Sequence, residues 1–268
     1  KNKQTIIYVG GGSGGHVTPL LAIHKEMIKL KPSARFFLVT DKKTLAITAK
    51  LFKKNPEVKL KVINSGKLRR HPNLKFRHKL ALLPYYSKNL LDLFKLGFGF
   101  IQSLVLMIKL KPSLVISKGG YVAVPAVYAA KLIGAKVIIH DSDTRPGLAS
   151  KLTAGKADKI FTGFETDSYP KNKTEWVGIP IIENRLSKEE LSEFASQNRL
   201  NPKLKTILIL GGGNGSENLN EIIKFNLPSL LKEYNVIHQA GRGKAFKFNS
   251  SRRYTGRYIQ FGFCSQNE

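Results

Sequence analysis

An ionisable ring stands directly behind a run of glycines near the start of the chain. The loop reads Gly10-Gly11-Gly12-Ser13-Gly14-Gly15-His16, with the β-branched run Ile6-Ile7-Tyr8-Val9 before it and a helical pattern after it. A second loop, Gly211-Gly212-Gly213-Asn214-Gly215-Ser216, follows Thr206–Leu210 in the same way. A strand that feeds a glycine turn into a helix aims backbone N–H groups and the positive end of the helix dipole at one point, an arrangement that suits a phosphate. Gly10, Gly12 and Gly15 also satisfy G-x-G-x-x-G, and Asp41 closes the second strand where a dinucleotide enzyme keeps its ribose-binding acid. A nicotinamide or flavin oxidoreductase is therefore one reading of this window. His16 at the phosphate-facing helix start, and Ser216 where the second loop's last glycine should stand, weigh against it.

Strands and helices must place these loops. Arg35–Thr40 and Asn235–Gln239 read as the strands that complete two βαβ openings. Between them the pattern continues with a short buried strand at Leu114–Ser117, the turn Lys118-Gly119-Gly120-Tyr121, and a helix over Val124–Ile133 ended by Gly134. A further strand, Lys136–His140, runs into the polar turn Asp141-Ser142-Asp143-Thr144-Arg145-Pro146-Gly147. In open parallel sheets ligands bind at the carboxyl ends of the strands, so loops 10–16, 118–121 and 140–147 are expected on one rim. A first domain over 1–176, a linker over 177–186 and a second domain over 187–268 follow, with a helix over Lys188–Asn198 ahead of the second sheet.

Composition narrows the partners. A chain with 42% apolar residues can build a core, and its single cysteine, Cys264, excludes a disulfide framework and suits a reducing compartment. No secretory pattern is visible, and the apolar stretch Leu96–Ile108 is read as too short to span a bilayer, so a soluble chain is expected. The formal net charge is +27, and between Glu57 and Asp141 fifteen Lys or Arg face one acid, Asp92. Such a field attracts an anionic membrane, a phosphorylated substrate or nucleic acid. Nucleic acid fits worst, because the aromatics are not interleaved as a stacking platform. The loop from Gly66 to Tyr86, with Lys67, Arg69, Arg70, Lys75, Arg77, Lys79, Tyr85 and Tyr86, reads as the membrane-facing surface, and Leu90–Leu110 as a core helix beneath it.

Six blocks then carry a family resemblance. In order they are Gly11-Gly12-Ser13-Gly14-Gly15-His16-Val17-Thr18-Pro19, Ser117-Lys118-Gly119-Gly120-Tyr121-Val122, His140-Asp141-Ser142-Asp143 with Pro146-Gly147-Leu148, Val177-Gly178-Ile179-Pro180, Gly211-Gly212-Gly213-Asn214-Gly215, and His238-Gln239-Ala240-Gly241-Arg242-Gly243. Over essentially its whole length the chain resembles the MurG family, the inverting bacterial transferases that move N-acetylglucosamine from UDP-GlcNAc to lipid I, an undecaprenyl-diphosphate-linked muramoyl-pentapeptide, to give lipid II of peptidoglycan. The resemblance implies an α/β fold of GT-B type, two Rossmann-like doubly wound parallel-sheet domains with the second incomplete. It implies UDP-GlcNAc binding by Ser13, Gly14, Gly15, Asp143, Gly213, Asn214 and Gly215, and acceptor diphosphate binding by His16, Gly119, Gly120 and Tyr121. The partners it implies are the UDP-GlcNAc donor, the undecaprenyl-diphosphate acceptor, an anionic inner-leaflet surface at the cytoplasmic face of the cell membrane, and other cell-wall synthesis proteins.

The reaction needs a base for the acceptor hydroxyl and stabilisation of charge on the leaving diphosphate. His16 is the first candidate, since a helix N-terminus lowers its pKa and keeps it neutral. Asp143 is the second, standing where the family commonly has a donor-contacting asparagine. Asp141-Ser142-Asp143 imitates an Asp-x-Asp metal pair, but GT-B enzymes neutralise the leaving group with dipoles and basic groups, so neither a metal nor a cofactor is expected. Other departures stand at Ile182, where the family has an arginine that Arg185 could replace, and at Gly213, where it has a serine. His238 reads as a packing residue and Arg242 as a donor-facing one. The chain is read as truncated at both ends relative to the family, so this fragment is expected to bind donor poorly and turn over little. The rival readings are a related GT-B transferase acting on another membrane lipid and a non-catalytic membrane-binding module.

Overall fold

The structure, a computed structural model, describes residues 3–66, 83–182, 186–212, 215–241, 243–248 and 253–262, with 83–88 as backbone only. It forms two compact units that divide between Ile182 and Glu183.

The first unit is a parallel sheet of seven strands in the order β3-β2-β1-β4-β5-β6-β7. Its strands are β1 (Thr5–Gly10), β2 (Arg35–Thr40), β3 (Val58–Val62), β4 (Leu114–Gly119), β5 (Lys136–Asp141), β6 (Lys159–Thr162) and β7 (Thr174–Trp176). The helices between them are α1 (Thr18–Leu30), α2 (Leu45–Leu51), α3 (Leu83–Leu110), α4 (Ala123–Leu132) and α5 (Leu148–Ala154). Strand alternation splits the core in two. Ile7, Val9, Val39, Val115 and Val137 pack with α4 and Met107 of α3 on one face, while Ile6, Tyr8, Leu38 and Ile116 pack with Leu20 and Leu21 of α1 on the other. Because both faces are covered, β1 is apolar and buried along its whole length rather than alternating. The strand order reverses direction between β1 and β4, so the loops leaving these two strands part and open a crevice.

Three expectations change at α3. The helix starts at Leu83, not Leu90, with Pro84 in its first turn, so Tyr85 and Tyr86 belong to a helix rather than to a loop. Its stretch Asn89–Leu110 is also long and apolar enough by composition to cross a bilayer, which the narrower window Leu96–Ile108 had excluded. It is a core helix on one side only. Met107 and Leu110 are buried, but Leu90, Phe94, Phe98, Ile101, Val105 and Ile108, spaced three or four apart along one side, are each more than half exposed. The segment before it packs closely: a Cβ on Gly99 would lie 1.9 Å from the Asn64 carbonyl oxygen, and the Gln102 side chain accepts from the Asn64 backbone N–H at 2.8 Å.

After β7, residues 177–182 stay with the first unit. The N–H groups of Val177 and Gly178 both donate to the Thr162 carbonyl, at 3.1 and 3.2 Å. Ile182 packs against the apolar cluster on the α1 face, which gives the residue that stands in place of the family's arginine a packing role.

The second unit is a parallel sheet ordered β10-β9-β8, made of β8 (Lys205–Leu210), β9 (Tyr234–Gln239) and β10 (Tyr258–Phe261). The helix α6 (Lys188–Gln197) begins in a capping box, in which Ser187 Oγ accepts from the Glu190 N–H and the Glu190 carboxylate accepts from the Ser187 N–H. The longer helix α7 (Glu217–Glu233) lays Ile223, Leu227 and Leu231 on Val236 of β9. On the other face of this sheet Leu208 and Leu210 are exposed.

Candidate active site

The site of the first unit forms where β1 and β4 diverge. Gly10 ends β1, Gly14–His16 form a 3-10 turn, and α1 begins at Thr18. Tight backbone packing requires the glycines: a Cβ on Gly10 would lie 2.3 Å from the His16 carbonyl oxygen, and one on Gly120 would lie 2.1 Å from that of Gly11. Gly119 and Gly120 have φ of 95° and 80°, a region L side chains rarely enter. The two loops are thus pressed together, backbone on backbone.

His16 sits in that seam, half-buried. Its Nδ1 lies 3.2 Å from the Lys118 carbonyl oxygen. A carbonyl can only accept, so Nδ1 carries the proton and Nε2 keeps the lone pair. The ring's pKa is held below the ordinary histidine value, first by burial and then by the Lys118 charge, while the bond to the Lys118 carbonyl and the charges of Asp143 and Asp141 pull the other way. A neutral ring was expected from the helix N-terminus; burial is its main cause.

Asp41 is fully employed inside the chain. Its Oδ2 accepts from the Gly12 N–H at 2.6 Å and from Thr44 Oγ1 at 3.0 Å, and its Oδ1 accepts from the N–H groups of Lys43 and Thr44. Thr44 Oγ1 also lies 2.8 Å from the Gly12 nitrogen. A carboxylate holding four donors has no oxygen left for a ribose, and the dinucleotide reading loses its acid. Asp41 instead braces the glycine loop.

The Asp-x-Asp pair is split by burial. Asp141 is buried, with Tyr169 Oη donating to its Oδ2 and the Asp143 N–H donating to its Oδ1 at 3.0 Å. Burial and the Asp141 carboxylate together raise the Tyr169 hydroxyl's pKa far out of the physiological range, so it remains a donor. Asp143 is exposed at the rim. Beside them His140 Nε2 donates to the Gly178 carbonyl at 2.8 Å, and its Nδ1 is buried without a partner among the described residues. Among the described residues no group of three or more His, Cys, Asp or Glu is placed to hold a metal.

His16, Gly119, Gly120 and the 141–143 turn therefore come together at one sheet edge, and Tyr121 stacks its ring edge near Gly12, 3.4 Å from where a Cβ would stand. Ser13 and Gly14 are half-buried and Gly15 is exposed on the same loop. Gly215 belongs to the second unit, where its φ of 70° and a Cβ position 2.1 Å from the Ala240 carbonyl oxygen require glycine. Gly213, Asn214, Arg185, Arg242 and the basic residues Lys67, Arg69, Arg70, Lys75, Arg77 and Lys79 lie outside the described residues, as do the side chains of Tyr85 and Tyr86. His238 is buried and bonded to Tyr258 Oη at 3.1 Å, in keeping with packing. Sequence reasoning passed over Lys118 and Tyr169. Lys118 stood inside a motif quoted for its glycines, and Tyr169 reaches Asp141 from 28 residues away with no local signal.

Comparison with known proteins identifies the family and the fold. The model of the glycosyltransferase family 28 N-terminal domain matches residues 6–162, more than half of the chain, and the chain belongs to that family. Within it, the chain is 36% identical over 98% of its length to a UDP-N-acetylglucosamine–N-acetylmuramyl-(pentapeptide) pyrophosphoryl-undecaprenol N-acetylglucosamine transferase of Staphylococcus aureus strain bovine RF122, covering 68% of that protein. The counterpart in strain JH9 is 35% identical with the same coverage. The MurG crystal structure from Acinetobacter baumannii superposes with a TM-score of 0.60 at 22% identity, over 90% of this chain and 62% of that one. The UDP-GlcNAc 2-epimerase of Methanocaldococcus jannaschii gives 0.57 at 14% identity, over 89% of this chain and 66% of that one, a likeness of fold alone. The architecture is that of the GT-B glycosyltransferases.

Proposed function

We propose that this chain transfers N-acetylglucosamine from UDP-GlcNAc to a lipid-linked muramoyl-pentapeptide, as its Staphylococcus aureus relatives are named for doing. The observation that carries the mechanism is the His16–Lys118 contact, which leaves Nε2 unprotonated at the mouth of the β1/β4 crevice. In the reaction an acceptor hydroxyl attacks the anomeric carbon, the new C–O bond forms as the bond to the UDP oxygen breaks, and His16 Nε2 takes the hydroxyl proton. Backbone N–H groups at the start of α1 face developing negative charge on a diphosphate. The second unit repeats the strand and helix at β8 and α7, with the glycine-rich sequence Gly211-Gly212-Gly213-Asn214-Gly215 between them, and suits the donor nucleotide.

The same reading places the chain on the cytoplasmic face of the cell membrane. The exposed apolar side of α3, within a region of net positive charge, supports it: apolar groups enter the headgroup layer while cations meet anionic lipid. The test is UDP release that depends on a lipid-diphosphate acceptor, with acceptor competition to separate muramoyl-pentapeptide from other membrane lipids. Loss of more than about a hundredfold is expected in His16→Ala. UDP release without an acceptor requirement, or an unchanged rate in that variant, would count against the proposal.

A further inference from the structure

Tyr169 lies in the apolar cluster built on β1, β4 and α4, with 6% of its surface exposed, yet its hydroxyl donates to Oδ2 of Asp141, itself 5% exposed at the end of β5. The other carboxylate oxygen, Oδ1, accepts from the Asp143 N–H at 3.0 Å. Both oxygens are thus engaged, one by a side chain 28 positions further along and one by the turn that carries Asp143 to the surface. The chain leading to Tyr169 meets that turn at a second point. The Gly163 N–H donates to the Asp141 carbonyl at 2.7 Å, and a Cβ on Gly163 would lie 3.1 Å from Ser142 Cα. Strand β5 pairs with β4 as far as Ser117 opposite Ile139, which sets this turn beside the Lys118–Tyr121 loop.

Burying a carboxylate carries a desolvation penalty, and an apolar pair of similar shape would fill the same space without it. What the polar pair adds is orientation. The terminal torsion of an aspartate is broad, so a carboxylate held only by the N–H two residues on can turn and let that N–H go. The Tyr169 hydroxyl on Oδ2 removes this freedom, and its ring is itself fixed by the core around it. We infer that Tyr169 is a positioning residue for Asp143, acting through the Asp141 carboxylate to hold the 141–143 turn in the shape that presents Asp143 at the rim. This rests on the reading of the chain as a UDP-GlcNAc-dependent transferase in which Asp143 meets the donor. Asp143 is exposed and Asp141 is buried, so the two acids divide the work: one faces the ligand and the other fixes the backbone from behind.

The variant that separates packing from hydrogen bonding is Tyr169→Phe, which keeps the ring in the core and removes only the hydroxyl. The measurements are hydrogen exchange of the Asp143 amide by NMR, and kcat and KM for UDP-GlcNAc and for the acceptor in acceptor-dependent UDP release. They are made on the wild type, Tyr169→Phe, Asp141→Asn, the double variant and Asp143→Ala. In Tyr169→Phe the Asp143 amide is expected to exchange roughly tenfold faster and the KM for UDP-GlcNAc to rise about fivefold, with the acceptor KM in place. The double variant is expected to match Asp141→Asn, because residues that act in series do not add. Wild-type exchange at Asp143 in a folded Tyr169→Phe protein overturns the inference, as does an additive double variant. Where Asp143→Ala raises the KM for UDP-GlcNAc, a folded Tyr169→Phe protein that leaves it in place also overturns it, whatever the change in melting temperature. If Asp143→Ala leaves that KM unchanged, the donor reading fails by itself, and the exchange rate still decides whether Tyr169 holds the turn.

Discussion

Asp41 Oδ2 stands 2.6 Å from the backbone nitrogen of Gly12, joining the end of β2 to the glycine loop after β1 across 29 positions of sequence. The bond turns a flexible glycine run into a fixed support for His16. Hydrogen bonds to a charged acceptor contribute about 1.5–3 kcal/mol each, and Asp41→Asn replaces one of the two acceptor oxygens with a donor that faces donors. Asp41→Asn should therefore lower the melting temperature and slow transfer at saturating substrate. Thermal unfolding and initial rates check both, and a wild-type melting temperature in this variant would refute the bracing role.

The same bond makes a prediction about cofactors. With both oxygens of Asp41 engaged, adding NAD or FAD should leave the melting temperature of the wild-type chain where it is. A shift of several degrees at millimolar dinucleotide, as ligand linkage requires for real binding, would restore the oxidoreductase reading.

His16, His140 and His238 each have a pKa pulled below the ordinary value near 6.5, chiefly by burial. Below that value the unfolded chain binds protons that the folded chain resists, so stability is full above pH 6.5 and falls as the pH drops toward the folded-state values. Urea midpoints measured between pH 7.5 and 5.5 should decline over that interval. Replacing His238 by Gln should weaken the decline in the second unit.

Two glycines of α3 separate helix propensity from packing. A Cβ at Gly97 meets nothing within 4 Å, whereas one at Gly99 would lie 1.9 Å from the Asn64 carbonyl oxygen. Gly97→Ala should stabilise the first unit by about 0.5–1 kcal/mol. Gly99→Ala should destabilise it by about 1–3 kcal/mol, because the neighbouring backbone has to move. Chemical denaturation of the two variants tests the pair, and equal effects would contradict the packing of Asn64 against Gly99.

The apolar side of α3 is testable by binding. Phe94→Asp together with Ile101→Asp changes two exposed residues and leaves Met107 in the core. The double variant should keep its fold and lose most of its sedimentation with anionic phosphatidylglycerol vesicles, which circular dichroism and a vesicle spin assay would register. Full sedimentation of a folded double variant would move the lipid contact elsewhere.

Much of this protein was legible in its residues alone. The two βαβ openings, the strands at Arg35–Thr40 and Leu114 onward, and the shared rim of three loops follow from strand-length apolar runs ended by glycine turns, which are local signals. The family blocks were equally legible, because phosphate loops need glycine at fixed spacing. What only the tertiary structure decided came from contacts far apart in sequence. Asp41 passed for a ribose acid until the fold brought Gly12 and Thr44 to its oxygens. Helix α3 read as a core helix because its run is mostly apolar, and only the packing of 64–66 and the sheet determined which side is covered. His16 was visible as a candidate base, but its tautomer depends on a carbonyl 102 residues away. Periodicity and turn chemistry act between neighbours in the chain, whereas tautomer, burial and the direction of a pKa are set by whatever folding places alongside.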